Sequence, residues 1–176
     1  MTKSIKRVLI PREEIDGMCR RLGRQISHDY RGREIILIGV LKGAFIFMAD
    51  LVRNIDVPCR IDFMSVSSYG SGTRTSGIVR ITKDLDTDIT GKHIIVVEDI
   101  VDTGLTLKHL RELLSTRNPA SIALCTAFDK PDRRKVDIEV EYIGLKIPDE
   151  FIVGYGLDYD GKYRNLRDVS VLGDDL

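Results

Sequence analysis

The chain has 176 residues with ordinary apolar and charged fractions, enough to bury one core and few for two. Lys plus Arg and Asp plus Glu are equal at 27, which leaves no net field to recruit nucleic acid or an acidic membrane, so neither is expected as a partner. Cys19, Cys59 and Cys125 are widely spaced in apolar surroundings, which fits reduced core thiols and a cytoplasmic location, and no run of about 18 uncharged apolar residues offers a membrane span.

Pro11 to Tyr30 reads as the first helix. Pro11 suits its opening turn, Glu13 and Glu14 suit the positive end of its dipole, and Ile15, Cys19, Leu22 and Ile26 form a stripe closed by Gly32. Glu34 to Val40 is a strand of the kind covered on both faces. It runs through Leu41, Lys42 and Gly43 into an apolar helix, Ala44 to Arg53. On the residues alone Gly43 is a turn glycine. Arg60 to Ser67 and Ile78 to Lys83 read as strands, and between them SSYGSGTRTSG is almost free of apolar anchors, the usual composition of an exposed hairpin connection.

His93 to Leu114 organises the rest. Ile94 to Val97 is a β-branched block for a central strand, and Leu107, Leu110, Leu113 and Leu114 mark one side of a helix. Between them lie Asp102, Thr103, Gly104, Leu105 and Thr106, where the helix begins. Free amides and two hydroxyls can converge there on an anion, with Gly104 allowing close approach. Asp-Thr-Gly by itself would also serve as a plain helix cap. Neither a Walker loop nor a G-x-G-x-x-G turn occurs, so nucleotide hydrolysis and hydride transfer lose their usual marks. Glu98 and Asp99 would repel a phosphate unless something lies between, and ribose hydroxyls or a hydrated magnesium would serve.

Asn118-Pro119 stops the helix, and Ile122 to Phe128 forms another buried strand that delivers Asp129, Lys130 and Pro131 to the ligand-binding edge of a parallel sheet. Asp132 to Lys135 reads as a solvated charged turn. Ile138, Val140 and Tyr142 alternate as in a strand. From Ile147 to Leu166 an aromatic, a Gly-rich turn, an acid and an arginine come close together. By composition Phe151 is core, Asp158 a turn acid and Lys130 a surface lysine.

The apolar run, Glu98-Asp99, two apolar residues, Asp102-Thr103-Gly104 and Thr106 resemble the phosphoribosyl pyrophosphate (PRPP) motif of the purine phosphoribosyltransferases. Further motifs in the same order, from Leu41 to Arg164, resemble the bacterial hypoxanthine-guanine branch of that family. The resemblance implies an α/β type I phosphoribosyltransferase fold: a parallel sheet flanked by helices, with a small hood from the two chain ends, in one domain over residues 1–176. It implies transfer of a phosphoribosyl group from PRPP to hypoxanthine or guanine, with Mg2+ as cofactor, in a homodimer or homotetramer. Preference for xanthine, or a PRPP-sensing regulator that binds nucleic acid, are the alternatives. Lys42, Gly43 and Arg164 would hold pyrophosphate, after a cis peptide before the lysine, and Thr103 to Thr106 the 5-phosphate. Glu98 and Asp99 would hold ribose or metal, and Asp102 would handle the purine proton. Lys130 would read the exocyclic oxygen, Phe151 stack, Ile152 contact the base through main chain, and Asp158 ligate magnesium. Ser68 and Tyr69 match the start of a mobile lid over about residues 68–78.

Overall fold

A computed structural model describes residues 3–68 and 79–174 of the chain. In chain order its elements are β1 (Lys3–Ile10), α1 (Arg12–Asp29), β2 (Ile35–Leu41), α2 (Phe45–Val52), β3 (Cys59–Ser68), β4 (Val79–Lys83), β5 (His93–Val101), α3 (Leu105–Ser115), β6 (Ser121–Asp129), a 3-10 turn at Pro131–Arg133, β7 (Tyr142–Lys146), β8 (Ile152–Val153) and β9 (Val169–Asp174).

The long apolar runs become the middle of a six-stranded sheet ordered β4-β3-β2-β5-β6-β7, parallel except for β4. Their continuity has a plain cause. Ile35, Leu37, Ile95, Val97, Ala123 and Cys125 pack with α1 and α2 on one face. Ile36, Ile38, Val40, Ile94, Val96 and Leu124 pack with α3 on the other, so neither parity of the pleat can be polar. In α1 the stripe Ile15, Cys19, Leu22 and Ile26 is buried as its spacing requires, joined by Met18.

The order of strands also fixes where a ligand can sit. From β2 the chain crosses outward to β3, whereas from β5 it crosses the opposite way to β6, so the direction of winding switches between β2 and β5. The carboxyl ends of those two strands therefore splay apart into a crevice. Lys42-Gly43 follow one of them and Glu98 to Thr106 lie at the end of the other.

Above this edge lies a second, antiparallel sheet, β1-β9-β8, in which Lys3 pairs with Asp174 and Ile152 with Val171. It joins strands from both ends of the described residues. The alternation Ile138, Val140, Tyr142 is not a strand throughout, because β7 starts only at Tyr142. Ile138 and Val140 instead lie half-buried on the α3 side of the core, where one apolar edge suffices without a strand partner. Among the described residues no helix is long and apolar enough to cross a membrane. Ser68 closes β3 opposite Val79, while Tyr69 and the rest of the expected lid, residues 69–78, lie outside the described residues.

Candidate active site

Strand β5 does not end where its apolar run ends. Pairing with β6 continues through Glu98 to Thr126 and Ile100 to Phe128, so the two acids stand within the strand. Successive residues of a strand face opposite ways, and Glu98 accordingly lines one cavity while Asp99 lines another. Burial holds the Glu98 carboxyl well above the usual carboxylate range, and the neighbouring charge of Asp99 adds to it. Burial also raises Asp99, against the opposing pull of the Ile100 amide, which donates to its Oδ1 at 2.7 Å.

The first cavity, about 160 Å³, is lined by Glu98, Ile100, Val101, Asp102, Thr103, Gly104, Thr106 and Leu107. Gly104 is the residue just before α3 and adopts φ 82°, a left-handed conformation that glycine takes without strain. From there the first-turn amides of α3, which have no acceptor within the helix, and the Thr103 and Thr106 side chains border the cavity, a set of donors that can serve as a cradle for an anion. Leu105 contributes only main chain to that turn, and its N–H makes a long 3.4 Å contact with Thr103 Oγ1.

The second cavity, about 460 Å³, is lined by Asp99, Ile100, Asp102, Lys130, Arg133, Asp149, Glu150, Phe151, Ile152, Leu157 and Asp158. Phe151 is not core: it is 47% exposed, with its ring edge-on to Tyr159 at a centroid distance of 5.7 Å. Nor is Lys130 a surface lysine. It is buried to 9% exposure, and its Nζ donates to the Glu150 carbonyl at 2.6 Å, with Asp149 Oδ1 at 3.7 Å. Asp158 accepts from the Gly161 amide at 2.8 Å and pairs with Arg164 at 2.8 Å, while Arg164 also donates to the Gly156 carbonyl. Asp102 and Ile100 line both cavities, so the anion cradle and the aromatic-walled cleft meet at one carboxylate.

The peptide before Lys42 is cis, and the exposed Lys42 leads into Gly43, packed against Asp99. Lys42-Gly43, the β5 acids, the phosphate-type loop and the cleft residues thus gather at the crevice between β2 and β5. Residues 11–160 match the family model of the phosphoribosyl transferase domain. The chain belongs to the phosphoribosyltransferase family.

This phosphoribosyltransferase is 54% identical over 161 residues to a hypoxanthine phosphoribosyltransferase of Salmonella typhimurium, a match that covers 90% of each chain. A solved hypoxanthine phosphoribosyltransferase of Staphylococcus aureus superposes with a TM-score of 0.93 at 49% identity, covering 96% of this chain and 92% of that one. A solved hypoxanthine-guanine phosphoribosyltransferase of Bacillus anthracis superposes with a TM-score of 0.93 at 47% identity, covering 98% of this chain and all of that one.

A further reading from composition also fails within the site. The run Asp132 to Lys135 is not simply solvated. Arg133 Nε donates to Asp102 Oδ1 at 3.0 Å and Arg134 Nη1 donates to the Asp102 carbonyl at 2.9 Å, so consecutive arginines take the side chain and the main chain of one residue. Arg134 also pairs with Asp129, whose side chain is 3% exposed. Asp149, Glu150 and Leu157 are further cleft residues that the motifs do not single out. The acidic pair just before Phe151 was the signal available for two of them.

Proposed function

We propose that this phosphoribosyltransferase transfers the phosphoribosyl group of PRPP to hypoxanthine or guanine, releasing pyrophosphate and giving the nucleoside monophosphate. The observation that carries this reading is the meeting of the two cavities at Asp102: one suits a phosphate and the other an aromatic base with a polar edge. A sugar seated between them would have its anomeric carbon beside the base, which makes the attack effectively intramolecular.

In this reading the α3 amides with Thr103 and Thr106 hold the 5-phosphate, and Glu98 and Asp99 face the ribose hydroxyls. Lys42, Gly43 and Arg164 receive the pyrophosphate. The base lies against Phe151 and meets main chain at Ile152. An ammonium has three donors, so Lys130 can keep the Glu150 carbonyl and still donate to the exocyclic oxygen of a 6-oxopurine. Breaking the bond from the anomeric carbon to pyrophosphate leaves positive character on the sugar and negative charge on the leaving group. The purine nitrogen forms the new bond to carbon, and its proton passes to the Asp102 carboxylate.

Among the described residues no three His, Cys, Asp or Glu side chains are grouped to cage a metal. Asp99 and Asp158, which line the larger cavity, with Glu98 on the smaller one, would offer the one or two carboxylates that magnesium needs beside waters and substrate oxygens. When bound, the ion neutralises charge on the pyrophosphate oxygens.

The test is an ultraviolet assay of the pure protein with PRPP, magnesium and each of hypoxanthine, guanine, xanthine and adenine. Expected is magnesium-dependent turnover of hypoxanthine or guanine, abolished by a chelator. Turnover of neither 6-oxopurine, alongside binding of RNA or DNA, would replace the enzyme by a PRPP-sensing regulator.

A further inference from the structure

The loop that forms the anion cradle is held from outside by the segment that follows β6. Arg134 Nη1 donates to the Asp102 carbonyl at 2.9 Å, and the Lys135 amide donates to the Thr103 carbonyl at 2.9 Å. Two consecutive carbonyls of the loop are thereby committed to this strap. A carbonyl released from it could swing toward the cavity and set its negative end against a bound phosphate.

The strap is itself anchored to the sheet. Arg134 Nη2 is ion-paired with Oδ1 of Asp129, the last residue of β6, and Asp129 pairs across the sheet with Val101, the last residue of β5. Val101 immediately precedes the loop. The Arg134 stem lies against the loop as well, since a Cβ on Gly104 would come within 3.1 Å of Arg134 Cδ. One planar guanidinium thus spans a buried carboxylate on the rigid strand and a carbonyl on the loop. A lysine, with a single ammonium nitrogen, cannot reproduce that fork.

We infer that Arg134 is a positioning residue for phosphate recognition: it holds the Asp102–Thr103 main chain so that the amides at the start of α3 face the anion. This rests on the reading of residues 102–106 as the 5-phosphate cradle, and the experiment separates the two. The proposed pyrophosphate seat is built from other segments, Lys42-Gly43 after β2 and Arg164, which is held by Asp158 and the Gly156 carbonyl, and it provides an internal control.

Ribose 5-phosphate and inorganic pyrophosphate are titrated separately by calorimetry, in the presence of magnesium, into wild type and Arg134→Lys. Steady-state constants are measured for PRPP and hypoxanthine. The variant should bind ribose 5-phosphate about tenfold or more weakly, the scale of one hydrogen bond to a charged group. The KM for PRPP should rise in step, while pyrophosphate affinity and the KM for hypoxanthine hold. Asp129→Asn keeps the guanidinium and neutralises only its anchor. It should show the same selective loss at smaller size, and it decides the matter if the lysine variant does not fold. Unchanged ribose 5-phosphate affinity in folded variants, or equal losses for both anions, overturns the inference. If wild type itself fails to bind ribose 5-phosphate, the cradle reading fails and the inference goes with it.

Discussion

The Cβ that Gly43 lacks would fall 1.8 Å from Oδ2 of Asp99 and 2.6 Å from its Cγ. Glycine at the end of β2 is therefore what lets the Asp99 carboxylate stand where it does at the end of β5. Gly43→Ala should push that carboxylate aside without unfolding the sheet, because a side-chain rotation relieves the clash. Misplacement of a site group by about 1 Å can cost about a hundredfold, and a loss of that order in kcat/KM for PRPP with a nearly unchanged melting temperature is expected. Full activity in the alanine variant would show that the contact is incidental.

Asp102→Asn should keep the fold and PRPP binding, since the amide oxygen can still accept from Arg133, but it removes the proposed proton acceptor. Single-turnover rates should fall by about a hundredfold or more, the usual scale for a positioned acid or base. An unchanged single-turnover rate takes the carboxylate out of the chemistry.

Base choice should rest on Lys130, which can only donate hydrogen bonds and thus matches an oxo group, whereas adenine offers a donor at the same place. Lys130→Met keeps the stem and removes the donor. Hypoxanthine and guanine should each lose about a hundredfold in kcat/KM, and the gap to adenine should narrow, while the KM for PRPP barely moves. The check is the specificity constant for all three bases in both proteins. A mutant that still discriminates as wild type does would leave the choice to Phe151 and the main chain.

Acid stability should depend on Asp62, which lines neither of the two cavities. Burial pushes its carboxyl upward, but the amides of Phe63, Asp86 and Thr87 and the Thr87 side chain outweigh that, and the net shift is downward. A folded pKa below the unfolded one stabilises the native state above the unfolded value, about 3.9, and that contribution is lost as pH falls through the folded value. Asp62→Asn should cost about 1–3 kcal/mol near neutral pH and flatten the fall in stability below about pH 4. Urea unfolding of both proteins between neutral and acid pH measures it, and parallel pH profiles would count against the assignment.

The sequence made some of this architecture legible and hid the rest for physical reasons. Strands β2, β5 and β6 could be read because burial on both faces leaves their runs almost wholly apolar, Thr126 being a buried exception in β6. Helix α1 could be read because its apolar stripe keeps one period over several turns. The strands of the second sheet could not be located from local pattern: β1 mixes charged and apolar residues without strict alternation, β8 has two residues, and their sheet is closed by pairs such as Lys3 with Asp174. At the site, the acids and the Asp-Thr-Gly turn were visible because a carboxylate pair beside a helix start is unusual on chemical grounds. Arg133 and Arg134 were not. An arginine in a charged run looks solvated until its partner is known, and theirs, Asp102, precedes them by 31 and 32 residues. Phe151 misled in the other direction, since hydrophobicity alone cannot distinguish a ring that fills the core from one that faces a cleft.

The pairing of β1 with β9, and of β9 with β8, sets a timetable for the nascent chain. Among the described elements β1 is synthesised before all others, whereas its partner strand β9 follows them all. Residues 3–10, with Ile5 and Val8 on show, must wait through the synthesis of every element between β1 and β9. The sheet that would grip a phosphate can assemble from β2 through β7 while this is happening. Ile152 and Val153 pair with Val171 and Ser170, so the wall that Phe151 and Ile152 give the larger cavity is set in place only when Val169–Asp174 arrives. A translation product that stops short of β9 would therefore carry the loop before α3 without the settled wall of the larger cavity, and an N-terminal strand open to pairing elsewhere.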